Sequence, residues 1–201
     1  MYEKVSATVS GWCMAGRSKI FAVVAIICAL ALAIASLAAL AGHPAPASAS
    51  TTATYFVTLY GWPDNSPPGN AIAYPKSDGN PTIHNGAGGT GSFSNPVTYA
   101  TDKAELPIGT KVYYPFLKRY FILEDDCVAC DQDWTGHGPD GGPKFKHIDL
   151  WVGGQNGNVN SVINCEDSLT QSGSVIVNPP SNEPVSSTPL FNSSTNKCYS
   201  P

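Results

Sequence analysis

The sequence predicts a mainly β domain, a closed barrel or a sandwich, made of short strands joined by long loops. Three observations predict it. The chain has 19 Gly and 17 Pro among 201 residues, well above the usual ~12%. Charged residues make up 13%, about half the ordinary ~25%, which excludes a coiled coil or a helical bundle. Runs rich in β-branched and aromatic residues recur between turn-forming stretches. The 42% hydrophobic content is enough to build a core and excludes a disordered tail protein. A net charge of −4 without any Lys/Arg cluster excludes a nucleic-acid partner, since such binding rests on phosphate neutralisation.

The first 49 residues are read apart from the fold. Residues 20–41 form an apolar run broken only by Ser36 and preceded by Lys4, Arg17 and Lys19. About 20 such residues cross a bilayer as a helix, and the flanking cations hold the N-terminus inside. Ala47-Ser48-Ala49 has the small-x-small form that signal peptidase accepts. A cleaved signal peptide and an uncleaved anchor both remain open, and both export the remainder. Secretion is therefore expected, with membrane contact only through this segment if it stays attached. The exported part carries eight Lys/Arg against fourteen Asp/Glu.

The domain is expected over residues 50–178. Residues 55–60 read as a first strand. Residues 61–95 form a long loop with five prolines, and loops of that length in a compact domain are usually functional. Residues 111–114, 120–123, 146–152 and 174–177 read as further strands, and residues 160–169 as the one short helix. The Pro/Ser-rich tail, 179–201, is expected to be tied down by Cys198. Cys127, Cys130, Cys165 and Cys198 suggest two disulfides in an oxidising compartment, with three connectivities open.

Chemistry concentrates in two places. Along the strand Lys146-His147-Ile148-Asp149-Leu150-Trp151-Val152, alternation puts Ile148, Leu150 and Val152 on one face. His147, Asp149 and Trp151 share the other: an imidazole, an acid and a flat ring, the set a carbohydrate site needs. The alternative is a solvated outer face. Glu124-Asp125-Asp126-Cys127 places three carboxylates in a row. Their repulsion, with partial burial, raises at least one pKa, and a raised carboxyl beside an ionised one is the acid/base pair of glycoside hydrolysis. A solvated or calcium-binding turn is the alternative there. The run from Asp131 lacks the bidentate Glu of a calcium loop. Cys127, Cys130, His137 and His147 lack the spacing of a common zinc module; no metal and no cofactor are expected. Gly86-Ala87-Gly88-Gly89-Thr90-Gly91 matches a dinucleotide motif by letter but opens no helix, and reads as a flexible surface loop. Trp62 and Trp134, in polar Gly/Pro-rich surroundings, read either as sugar platforms or as core plugs.

Together these residues resemble the double-psi β-barrel group of cell-wall-acting proteins. The stretch from Ala100-Thr101-Asp102 to Leu106-Pro107-Ile108-Gly109-Thr110-Lys111-Val112 looks like the start of the three-aspartate domain. Glu124-Asp125 and His147-Ile148-Asp149-Leu150 are similar to its later parts. The strand with Asp149 also resembles that of family 45 endoglucanases, expansins and lytic murein transglycosylase A. Over residues 55–180 the chain looks most like secreted fungal-type muramidase domains, through Thr58-Leu59-Tyr60-Gly61-Trp62-Pro63-Asp64, Ile83-His84-Asn85 and Glu124-Asp125-Asp126-Cys127. The Cys-rich first strand of family 45 enzymes is absent.

The resemblance implies a six-stranded double-psi β-barrel and a monomeric, secreted glycosidase acting on the β-1,4 glycan of peptidoglycan. Asp149 would be the general acid, and Asp125 the base or the residue that tunes Asp149. Asp102, Asp126, Glu124, Tyr60, Asp64 and His147 would support them. Trp62, Trp134 and Trp151 would stack on sugars. A lytic transglycosylase and an expansin-like, non-catalytic polysaccharide binder are the alternatives.

Overall fold

A computed structural model describes residues 48–137 and 144–201. The leader segment lies outside the described residues. Among the described residues, no helix is long and apolar enough to cross a membrane.

Six strands close into a barrel: β1 (Thr51–Tyr60), β2 (Val97–Ala100), β3 (Lys111–Tyr114), β4 (Arg119–Asp125), β5 (His147–Trp151) and β6 (Gln171–Val177). Their order around the barrel is β1-β5-β2-β4-β3-β6. β1 with β5 and β2 with β4 pair in parallel, and the other pairs run antiparallel. Closure leaves no free sheet edge. The interior is filled by Val57, Leu59, Tyr99, Val112, Phe121, Leu123, Ile148, Leu150 and Val175, all buried.

Two helices lie outside the barrel: α1 (Val128–Thr135) and α2 (Val159–Leu169). The sequence led us to expect only the second. α1 shows no apolar periodicity, so it is set by its ends. Cys127 is its N-cap, accepting from the Cys130 N–H at 3.1 Å, and Gly136 closes it with a left-handed φ of 77°, the conformation glycine adopts without strain. α2 is amphipathic, burying Val162, Cys165, Glu166 and Leu169. β2 falls in a stretch left without an element by the sequence reading, and all four of its residues are buried.

The disulfides join Cys127 to Cys130 and Cys165 to Cys198. The second fastens the tail to α2, where β7 (Phe191–Asn192) and β8 (Lys197–Cys198) form a small hairpin. Leu190 and Phe191 add to the core. The segment Gly86–Gly91 is not the flexible loop expected. The Gly88 carbonyl accepts from Thr98 N–H (2.8 Å) and the Gly91 carbonyl from Tyr120 N–H (2.9 Å), which fixes its backbone against β2 and β4.

Candidate active site

The barrel assembles one rung of side chains across four adjacent strands. On β1, Thr58 stands beside Asp149 of β5. Ala100 of β2 pairs with Asp149 on one side and with Asp125 of β4 on the other. The register shifts between Tyr99 and Ala100, and a bulge of this kind re-aims the side chains that follow. It brings Asp125, not Glu124, opposite Ala100. Two strand spacings set the backbones of Asp125 and Asp149 about 9–10 Å apart, with only a methyl group between them. A cleft of ≈ 590 Å³ opens over this rung, lined by Thr58, Tyr60, Asp64, Asp125, Asp126 and Asp149 among others. The long loop supplies one wall, including Pro67, Ile72 and Ala73, and the start of α1 supplies another through Cys127, Val128 and Ala129.

The Thr58 hydroxyl lies 2.7 Å from Asp149 Oδ1, donating to it when the carboxyl is ionised and accepting from it when the carboxyl is protonated. Burial is the main force on its carboxyl, and the charges of Asp64 and Asp125 add to it, pushing its pKa up to about 7 against the Thr58 bond. Behind Thr58 runs a buried chain. The His147 Nε2 lies 2.9 Å from Thr58 Oγ1, and its Nδ1 lies 2.7 Å from Asp133 Oδ2. Burial lowers the His147 pKa, opposed by Asp133. A neutral His147 can donate from Nδ1 to Asp133 and accept from Thr58 at Nε2. Thr58 then accepts from a protonated Asp149, and every group in the chain is satisfied. His147, only 3% exposed, is therefore not on a solvated face: α1 brings Asp133 over it.

Asp125 is held by three donors: the Tyr60 hydroxyl (2.9 Å), Ala73 N–H (2.8 Å) and its neighbour Asp126 N–H (2.9 Å). Burial still raises its pKa, opposed by these bonds and helped by the Asp126 charge. Tyr60 stays protonated, its pKa raised by burial and by Asp125. Asp64 is exposed at the rim and accepts from Gly61 N–H at 2.8 Å. Asp126 is exposed and accepts from the Tyr74 hydroxyl at 3.1 Å.

Other expected site residues lie elsewhere. Asp102 closes a turn by accepting from Ala104 N–H at 2.6 Å; it shares no hydrogen bond with Asp149. Glu124 points away from the cleft because its side chain alternates with that of Asp125. None of the three tryptophans lines the cleft. Trp151 is 5% exposed and meets Tyr60 edge-on at 5.2 Å between centroids. Trp62 is partly buried against the core. Trp134 is covered by ammonium groups, Lys144 at 3.4 Å and Lys146 at 5.4 Å from the ring centroid. Barrel closure and loop packing consume rings that the polar local sequence made look free. Cys127, Cys130 and His147 offer ligand-type atoms within 4.8 Å of one another. The two sulfurs are bonded to each other, so neither is a thiolate available to a metal.

One participant was missed by sequence reasoning. Glu166 of α2 is 4% exposed and sits beneath Gly61, where a Cβ would come within 2.7 Å of its Oε1. Burial, then the charge of the neighbouring Asp64, push the Glu166 pKa up to about 8. That neighbour lies about a hundred positions away in sequence, so no local spacing announces it.

These raised carboxyls set a pH dependence. In the unfolded chain Glu166 and Asp149 ionise near 4, whereas in the folded chain they hold protons to about 8 and about 7. The folded state binds more protons in that interval, so their stabilisation is full below pH 4 and is lost as pH rises towards 8. Melting temperature measured from pH 4 to 9 is expected to fall less in Glu166→Gln than in the wild type. An identical slope in both would remove Glu166 from this account.

The family described as the DDB_G0273701 N-terminal domain matches residues 52–199, which span the whole barrel and the tail. The chain belongs to this family. A relative in Dictyostelium discoideum, "Uncharacterized protein DDB_G0273701/DDB_G0273221", is 38% identical over 143 residues, 71% of this chain. The chain spans 58% of that relative's length. No solved structure matches it.

Proposed function

We propose that the domain is a secreted glycosidase that cleaves the β-1,4 glycan of peptidoglycan, with Asp149 as general acid. The observation that carries this reading is the state of Asp149 in the cleft. A carboxyl protonated to about pH 7 stands across one alanine from Asp125, a carboxylate gripped by three donors. Two carboxyls pushed into different roles by their surroundings are what acid/base cleavage of a glycosidic bond requires. Asp149 would give its proton to the leaving oxygen. The Thr58 hydroxyl would then turn to donate to the new carboxylate, at the 2.7 Å contact described above. Asp125 would activate water, or hold the charge that keeps Asp149 protonated.

The closed six-stranded barrel supports the resemblance to double-psi cell-wall proteins, and the two disulfides support an extracellular setting. Sugar contacts would come from Tyr60, Ile72 and Pro67 rather than from the tryptophans. Incubation with purified peptidoglycan, followed by mass spectrometry of the soluble products, tests the reading. Fragments with a free reducing end are expected. Ends in 1,6-anhydromuramic acid would make it a lytic transglycosylase. Persistent absence of fragments would overturn the enzyme reading in favour of an expansin-like binder.

A further inference from the structure

A second pocket of ≈ 370 Å³ lies at the far end of β4 from Asp125. Arg119, the first residue of that strand, lines it and is 2% exposed. It lies six residue steps along the strand from Asp125, about 20 Å. Its guanidinium is almost without partners. Nε and Nη2 have none, and Nη1 makes a single long contact, 3.4 Å, to the Thr90 carbonyl. The Tyr199 ring lies 5.4 Å from its central carbon. Among the described residues, the ion pairs are His84–Glu124, Lys146–Glu105 and His147–Asp133, and Arg119 is in none of them.

A buried cation without a counter-ion costs several kcal/mol. Burial accordingly lowers the Arg119 pKa, but an arginine does not lose its proton in proteins. The charge persists, and among the described residues no carboxylate pairs with it. The pocket wall contains no acidic residue. It offers Thr90 and Ser187, the flat backbone of Gly88 and Gly89, and the apolar sides of Trp151 and Leu190. The glycines are needed here. At Gly91 (φ 84°) a Cβ would come within 3.0 Å of the Arg119 stem, and at Gly89 (φ 107°) it would collide with the Pro96 carbonyl at 2.0 Å. The glycine-rich segment that opens no helix thus folds directly over the arginine.

We propose that the Arg119 pocket binds a small oxyanion, a carboxylate or phosphate group carried on a compact body. The planar fork of a guanidinium matches a carboxylate or phosphate edge through two parallel N–H bonds, and Nε with Nη2 is the pair left open. Trp151 and Leu190 would hold the body of the ligand. This site is separate from the acid cleft and does not depend on the glycosidase reading.

Thermal unfolding in acetate, D-glucuronate, phosphate or chloride, at matched pH and ionic strength, tests it. A saturable rise in Tm is expected with an oxyanion and not with chloride, about 5–10 °C at a hundredfold excess over Kd. A response to acetate or glucuronate identifies a carboxylate ligand, and a response to phosphate alone a phosphate ligand; both support an oxyanion site. In Arg119→Met the rise should vanish, while the anion-free protein melts no lower than wild type, because an unpartnered buried charge has been removed. Should that variant fold poorly, the Arg119 Nε–Hε NMR signal of the wild type decides: it should move saturably with the same anion. No oxyanion-specific rise, a rise that survives in a folded Arg119→Met, or a static Nε–Hε signal overturns the proposal.

Discussion

Replacing Asp149 with asparagine is expected to slow glycan cleavage by about 10²–10⁴-fold, the range that a positioned general acid supplies. The amide has the shape of the carboxyl and can keep the Thr58 contact of 2.7 Å, so the barrel should fold unchanged. What it lacks is a proton to give. The pH profile carries a second, independent expectation. With Asp149 protonated to about pH 7, wild-type kcat/KM should fall above that value as the acid ionises, and the residual activity of Asp149→Asn should lose that limb. Release of soluble fragments measured from pH 4 to 9 checks both. Wild-type turnover by Asp149→Asn would end the assignment.

Removing the Glu124 carboxylate is expected to cost about 3–5 kcal/mol, as other broken buried charge networks do. The side chain is fully buried and ties three parts of the chain together. Oε1 accepts from Ile83 N–H (2.8 Å) and His84 N–H (2.9 Å). Oε2 accepts from the Thr98 hydroxyl (2.9 Å) and meets His84 Nδ1 at 2.6 Å. Glu124→Ala removes the acceptor of four donors and frees the long loop that walls the cleft. A Tm lowered by roughly 10 °C or more is expected at this domain size, read by calorimetry. A shift under 2 °C would show that the loop is held by other contacts. Glu124 was read from the sequence as a site acid. Its work is to fasten the loop, and activity should fall with it through lost shape rather than lost chemistry.

How much could be read in advance depended on how local the signal was. β1, β3, β4, β5 and β6 were legible because Tyr55-Phe56-Val57, Val112-Tyr113-Tyr114 and Tyr120-Phe121-Ile122-Leu123 are sequences that fit a pleated surface. β2 was not. Its four residues follow Pro96 directly, and both of its faces are buried, so alternation is absent. α1 has no apolar stripe, and its only sequence signal is Gly136 in the closing position. Asp125, Asp149, Tyr60 and Asp64 converge on the cleft, a meeting that the resemblance anticipated and spacing alone did not. The tryptophans were misjudged for the reason that hid Glu166. Whether a side chain is covered, and by what, is decided by segments far along the chain.

The first strand of the barrel is closed by the last. Thr51–Val57 of β1 pair antiparallel with Gln171–Val177 of β6, and the next stretch of β1 pairs with β5. The ends of the domain are thus neighbours, about 120 positions apart in sequence. No fragment made early in synthesis can satisfy β1: one of its edges waits for β5 and the other for β6, the last strand of the barrel. Loop closure over such a distance must precede the contacts that reward it, which makes topologies of this kind slow to fold. Until then the Tyr55–Tyr60 stretch is exposed as an unpaired, adhesive edge.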